Sequence, residues 1–126
     1  MAKILIFDDS PTIHRMLTKR LESSNHKVVF CATDGSGASE LYIKYQPDLV
    51  LMDITMPNCD GREGLKKIMS KSPEARVLML SAISEPTVVE ECIRNGAVGF
   101  ASKDQLVEVG YIEKLVNQYT SEKQAS

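Results

Sequence analysis

Leu49-Val50-Leu51-Met52-Asp53 is the stretch that decides the fold. It is entered through Pro47-Asp48 and stays apolar at four successive positions before it ends on an acid. A strand with one wet face alternates apolar and polar side chains, whereas an unbroken apolar run is what a strand covered on both faces needs. Similar runs lie on either side. Lys3 to Phe7 comes before it and Val77 to Leu80 after it, while Val28 to Ala32 and the shorter Gly99 to Ser102 bring the total to five.

Helical spacing separates these runs. Ser10 suits an N-cap and Pro11 the first helical position, where its missing N–H costs nothing. Ile13, Met16, Leu17 and Leu21 then recur with helical period. Ala38, Leu41, Tyr42 and Tyr45 form a second stripe behind the Asp34-Gly35 turn, and Leu65, Ile68 and Met69 a third that Ser72-Pro73 closes. The fourth, Val88, Val89, Cys92 and Ile93, opens at Ser84-Glu85-Pro86 and stops at Asn95-Gly96. Ile112, Leu115, Val116 and Tyr119 make the fifth. Regular strand–helix alternation predicts an α/β domain, a single five-stranded parallel sheet with helices on both faces. Residues 1–120 are expected to form this domain and 121–126 a frayed tail.

In such a sheet the site lies beyond the carboxyl ends of the strands. Asp8 and Asp9 close the first strand, Asp53 the third and Ser81 the fourth, and Lys103 follows the fifth. If the first and third strands are neighbours, three carboxylates converge. Two of them about 5 Å apart repel by roughly 3 kcal/mol at an effective dielectric of about 20. A shared cation relieves that cost, and oxygen-only donors suit Mg2+. Beside Mg2+, a rigidly held Asp53 can attack phosphorus and form an aspartyl phosphate, with Asp8 and Asp9 holding the metal. Lys103 offers a compact positive charge for Asp53 and then for the phosphoryl group, and Ser81 a small hydroxyl. Taken singly, each has a plainer use. Asp8-Asp9 can favour the positive end of the first helix, Ser81 can cap a turn, and Lys103 can sit in solvent. Five such residues at the ends of four strands point to one site.

The bulk properties exclude several classes. At 126 residues the chain has room for one domain with a substantial core. A net charge of -2 gives no general pull towards nucleic acid or anionic membrane, and Lys66-Lys67 reads as a solvated helix face. Cys31, Cys59 and Cys92 are widely spaced and odd in number, which indicates neither a disulfide framework nor a zinc site. No run approaches a membrane span, and Lys3 is followed by only four apolar residues, too few for a signal peptide. A cytoplasmic monomer is expected, with no direct nucleic-acid binding and no membrane insertion.

Asp8-Asp9, the segment Asp53-Ile54-Thr55-Met56-Pro57-Asn58-Cys59-Asp60-Gly61, then Ser81-Ala82 and Lys103 together resemble the receiver domain of two-component response regulators, over about residues 2 to 120. The resemblance implies a flavodoxin-like (βα)5 three-layer sandwich with strand order 2-1-3-4-5, an order that spacing alone does not provide. It implies that Asp53 accepts phosphate from a sensor histidine kinase or histidine phosphotransfer protein. Asp9 and Asp53 would bind Mg2+ directly, Thr55 through its backbone carbonyl, and Asp8 mainly through a water. Ser81 would follow the phosphoryl group and Phe100 would act as the aromatic switch, although Phe100 also reads as an ordinary core aromatic. Thr55 and Ile83 would tune dephosphorylation. The output would be a phosphorylation-dependent contact on the face of the fourth helix, fifth strand and fifth helix, near Val109 and Tyr111, with chemotaxis as the first choice of pathway. A phosphorelay intermediate and a phosphorylation-independent pseudo-receiver are the alternatives.

One residue departs from the family pattern. Lys103 is usually followed by proline, commonly through a cis bond, and here Asp104 follows. A non-proline cis bond costs about 2.5–4 kcal/mol, so the loop is expected to be trans or strained, with Asp104 able to draw the ammonium out of the pocket. Two other classes fit poorly. A flavin- or nucleotide-binding module needs a Gly/Ser/Thr-rich loop after the first strand, where Asp8-Asp9-Ser10-Pro11 repels phosphate. A phosphohydrolase with an aspartyl nucleophile usually carries Asp-x-Asp, which Asp53-Ile54-Thr55 lacks.

Overall fold

The structure is a computed structural model and describes residues 1–82 and 85–125. Five strands, β1 (Lys3–Phe7), β2 (Lys27–Ala32), β3 (Leu49–Asp53), β4 (Val77–Ser81) and β5 (Gly99–Ser102), form one parallel sheet in the order β2-β1-β3-β4-β5. Helices α1 (Pro11–Ser23), α2 (Ala38–Tyr45), α3 (Gly61–Lys71), α4 (Pro86–Arg94) and α5 (Tyr111–Ala125) fill the crossovers and close the chain. β3 and β4 are buried at every position, as their apolar runs require, while the edge strand β2 is buried only at Ala32.

Side chains alternate across the sheet and build two cores. Leu5, Phe7, Val50, Met52, Val77 and Met79 meet Tyr42 of α2, Leu65 and Ile68 of α3 and Cys92 of α4. Ile4, Ile6, Leu49, Leu51, Leu78, Leu80 and Ala101 meet Leu17 and Leu21 of α1 and Ile112 and Val116 of α5. Register sets the height of the strand ends. Phe7 pairs with Met52, Asp53 with Leu80, and Ser81 with Ser102. Asp8 therefore leaves β1 level with Asp53, on the α1/α5 side by alternation, whereas Ser81 continues the parity of Met79 towards α3 and α4.

α1 starts as its sequence suggests, with Ser10 Oγ accepting from Ile13 N–H at 3.3 Å and Pro11 in the first turn. Asp60 caps α3, its Oδ1 accepting from the N–H groups of Arg62 (3.0 Å) and Glu63 (3.2 Å). α5 continues through the residues read as a frayed tail, as far as Ala125. Glu, Lys, Gln and Ala are strong helix formers, and no Gly or Pro interrupts them. A further element, a 3-10 helix over Lys103–Val107, has no counterpart in the sequence reading. Among the described residues, no helix is long and apolar enough to cross a membrane.

Candidate functional site

The ends of β1 and β3 bring the acids together. One carboxylate oxygen each from Asp8, Asp9 and Asp53 lies within 4.8 Å of the others. Asp8 and Asp53 are buried, at 0% and 3% exposure, and Asp9 is exposed. Asp8 is held by its surroundings: its N–H donates to Ala32 O at 2.9 Å, its Oδ1 accepts from Ser10 N–H at 2.9 Å, and its carbonyl meets His14 Nε2. Lys103 completes the cluster. Its Nζ lies 2.8 Å from Asp8 Oδ2 and 3.0 Å from Asp53 Oδ2.

Asp104 therefore does not draw Lys103 away. Two buried carboxylates in a weakly screening environment outcompete one exposed neighbour. Among the described residues no peptide bond is cis, so the chain passes from Lys103 to Asp104 in trans and enters the 3-10 helix directly.

Burial pushes the Asp53 carboxyl above the ordinary aspartate range; the Lys103 bond pulls it down and the Asp8 charge pushes it up, and the balance stays upward. Burial works against the Lys103 ammonium, yet its bonds to Asp8 and Asp53 and their charges hold it above the usual lysine range. Three acids and one lysine leave two negative charges uncompensated. The donor set is oxygen only, and a spread of up to 4.8 Å is close to the roughly 4.2 Å that opposite ligands of one Mg2+ ion span. The residues fit that ion with small side-chain turns.

The other expected residues occupy different parts of the site. Thr55 donates its N–H to Asp53 Oδ1 at 3.4 Å and exposes its side chain. Ser81, at the end of β4, lines a cleft of about 290 Å3 with Ile54, Thr55, Arg62, Glu85 and Val88. Phe100 is half-buried against the core on the α4 side. Ile83 lies outside the described residues. Val109 is 97% exposed, and Tyr111 turns its hydroxyl inward, where it accepts the Ser102 N–H at 3.0 Å.

Sequence reasoning missed Gly61, which it placed only at the end of the Asp53-to-Gly61 segment. A Cβ on Gly61 would stand 2.0 Å from the Asp53 carbonyl oxygen, so only glycine lets the start of α3 press on the Asp53 backbone. The Gly61 N–H bonds Ile54 O at 2.8 Å across this contact. It also missed Arg62, which joins Asp60 (3.4 Å) to Glu91 of α4 (3.3 Å) at the rim of the Ser81 cleft.

The chain is also similar to known proteins. A family model described as the response regulator receiver domain matches residues 4–113. The chemotaxis protein CheY of Listeria monocytogenes is 40% identical over 103 residues, covering 82% of this chain and 87% of its own. The CheY of Bacillus subtilis is 38% identical over 119 residues, covering 91% and 98%. Among solved structures, the CheX-CheY-BeF3-Mg2+ complex of Borrelia burgdorferi contains a chain with a TM-score of 0.85 and 32% identity, the match covering 92% of this chain and 87% of that one.

Proposed function

The chain belongs to the response regulator receiver domain family of phosphoacceptor switches, and from that premise we propose that Asp53 takes a phosphoryl group from a histidine kinase in a Mg2+-dependent reaction and signals through a protein contact in chemotaxis. The observation that carries this reading is the Lys103 ammonium shared by Asp8 and Asp53, beside three carboxylates gathered within 4.8 Å. The coverage of 87–98% of the two CheY relatives supports the chemotaxis assignment.

Asp53 is the nucleophile. One of its carboxylate oxygens forms the new bond to phosphorus as the P–N bond of the donor phosphohistidine breaks, and the electron pair returns to the imidazole. Asp8, Asp9, Asp53 and the Thr55 carbonyl would hold Mg2+, which when bound neutralises charge on the transferring oxygens. Lys103 starts on Asp53 and exchanges its carboxylate partner for a phosphoryl oxygen. The Ser81 hydroxyl donates to another, and its movement towards the site makes room for Phe100 to turn inward. That motion alters the surface of α4, β5 and α5, where the target docks. Thr55 and Ile83 set how readily water reaches the acyl phosphate. Ile83 cannot orient a water, so hydrolysis is slow to moderate, and Ile83→Gln changes the lifetime.

The test is incubation with acetyl phosphate, with and without Mg2+, read as the mass gained on the intact protein and compared with Asp53→Asn. Wild type gains one phosphate only with Mg2+, and the variant gains none. No uptake under either condition removes the phosphoacceptor role and leaves the pseudo-receiver. Rapid onward loss to a histidine phosphotransfer protein replaces the chemotaxis output with a relay.

A further inference from the structure

We propose that Arg20 of α1 is a positioning residue for phosphotransfer: it clamps the 3-10 helix whose first residue is Lys103, and so holds the ammonium on Asp8 and Asp53. This inference rests on the function proposed above.

The Arg20 guanidinium reaches three consecutive main-chain carbonyls. Nη1 donates to Leu106 O and, at 3.4 Å, to Glu108 O, while Nη2 donates to Val107 O at 3.2 Å. These lie at the carboxyl end of the 3-10 helix, where carbonyls lack helical partners and a cation is favoured. The planar fork of arginine can serve several acceptors at once, which a lysine's point charge does less well.

The segment needs such support. A 3-10 helix has poor hydrogen-bond geometry and rarely persists unaided beyond 3–4 residues, and this one runs for five. Asp104 has no ring to fix its backbone, in contrast to a proline. Three fixings hold the segment in place. Leu106 is fully buried in the core that contains Leu17 and Leu21 of α1. Tyr111 Oη receives the N–H of Ser102, immediately before Lys103. Arg20 fastens the other end. At a rise of about 2 Å per residue, the first clamped carbonyl is roughly 6 Å along the axis from Lys103, close enough for its release to be felt at the ammonium.

The test compares Arg20→Ala, Arg20→Lys and, as a stability control in the core on the other side of the sheet, Ile68→Val. The first readout is the rate at which an amine-acylating reagent modifies Lys103 relative to the other lysines, followed by peptide mass spectrometry. Its side chain is only 19% exposed and paired twice, so labelling is slow in the intact protein and rises severalfold in Arg20→Ala. The second readout is phosphorylation by acetyl phosphate, which falls about 10–100-fold because a reacting group displaced by an ångström costs that much. Mg2+ affinity moves the opposite way and tightens, since the ammonium no longer competes for Asp8 and Asp53. Arg20→Lys recovers part of each effect, and Ile68→Val reproduces none. Unchanged Lys103 labelling in Arg20→Ala, or equal labelling in Ile68→Val, overturns the proposal. A wild type that takes no phosphate overturns the function proposed above, while the labelling comparison still decides the role of Arg20.

Discussion

Replacing Lys103 with methionine separates the electrostatics of the site from its packing. Lys103 Nζ stands 2.8 Å from Asp8 and 3.0 Å from Asp53. At an effective dielectric of about 20, each attraction is worth roughly 5–6 kcal/mol in gross Coulomb energy. The two carboxylates, with oxygens no more than 4.8 Å apart, repel each other by at least about 3.5 kcal/mol on the same scale. Desolvation offsets much of the attraction, and removal of one partner from a buried ion pair typically costs about 3–5 kcal/mol. Lys103→Met without divalent ions is therefore expected to lower the urea midpoint by about 1.5–3 M at neutral pH, with a slope near 1.5–2 kcal/mol/M. The cause would be two unpaired acids, so Asp53→Asn in the same protein should recover much of the loss. The coupling between the two changes should be about 2 kcal/mol, within the range of contacting residues. Magnesium should stabilise Lys103→Met more than wild type. Additivity of the two changes within about 0.5 kcal/mol would refute the charge account and leave Lys103 as a packing residue.

Other expectations follow from the same geometry. Gly61→Ala forces a Cβ to within 2.0 Å of the Asp53 carbonyl; it should cost at least about 1–3 kcal/mol by urea unfolding, the usual range for overpacking, and depress phosphorylation. Asp53 protonates more readily in the folded chain because burial raises its pKa. Metal-free wild type should thus gain stability as pH falls from above that raised value towards the ordinary aspartate range, a gain that Asp53→Asn lacks in matched melts. The Lys103 pKa is also raised, so its contribution is present below the ordinary lysine pKa and is lost as pH rises through the folded value. Asp60→Ala removes the acceptor for two N–H groups at the start of α3 and should cost about 1 kcal/mol.

What the sequence made legible follows from locality. β3 and β4 announce themselves because burial on both faces leaves no polar position, and α1 because Ser10-Pro11 acts within its own first turn. The acids were legible as strand endings, and the sheet's register turns those endings into neighbours. The 3-10 helix was not legible. Lys-Asp-Gln-Leu-Val has no apolar period, and what shapes it is distant: the core beneath Leu106, and an arginine 86 positions away in sequence. Arg20, the basic residue in the last turn of α1, carries no local mark of that reach. Gly61 stood only as the last residue of a family segment, and its closeness to Asp53 appears once α3 folds back over β3.

The alternation of the strands places Asp8 and Asp53 above one helical layer and Ser81 above the other. Under the proposed function, a single chemical event at the rim would be felt in both layers at once. The same alternation would carry a change at Asp53 towards α1 and α5 and a change at Ser81 towards α3 and α4. It also restricts how the chain can vary. Losing one residue inside β4 or β5 would swap the layers seen by every side chain beyond it, so length changes belong in the connections at the opposite rim, where no phase has to be kept.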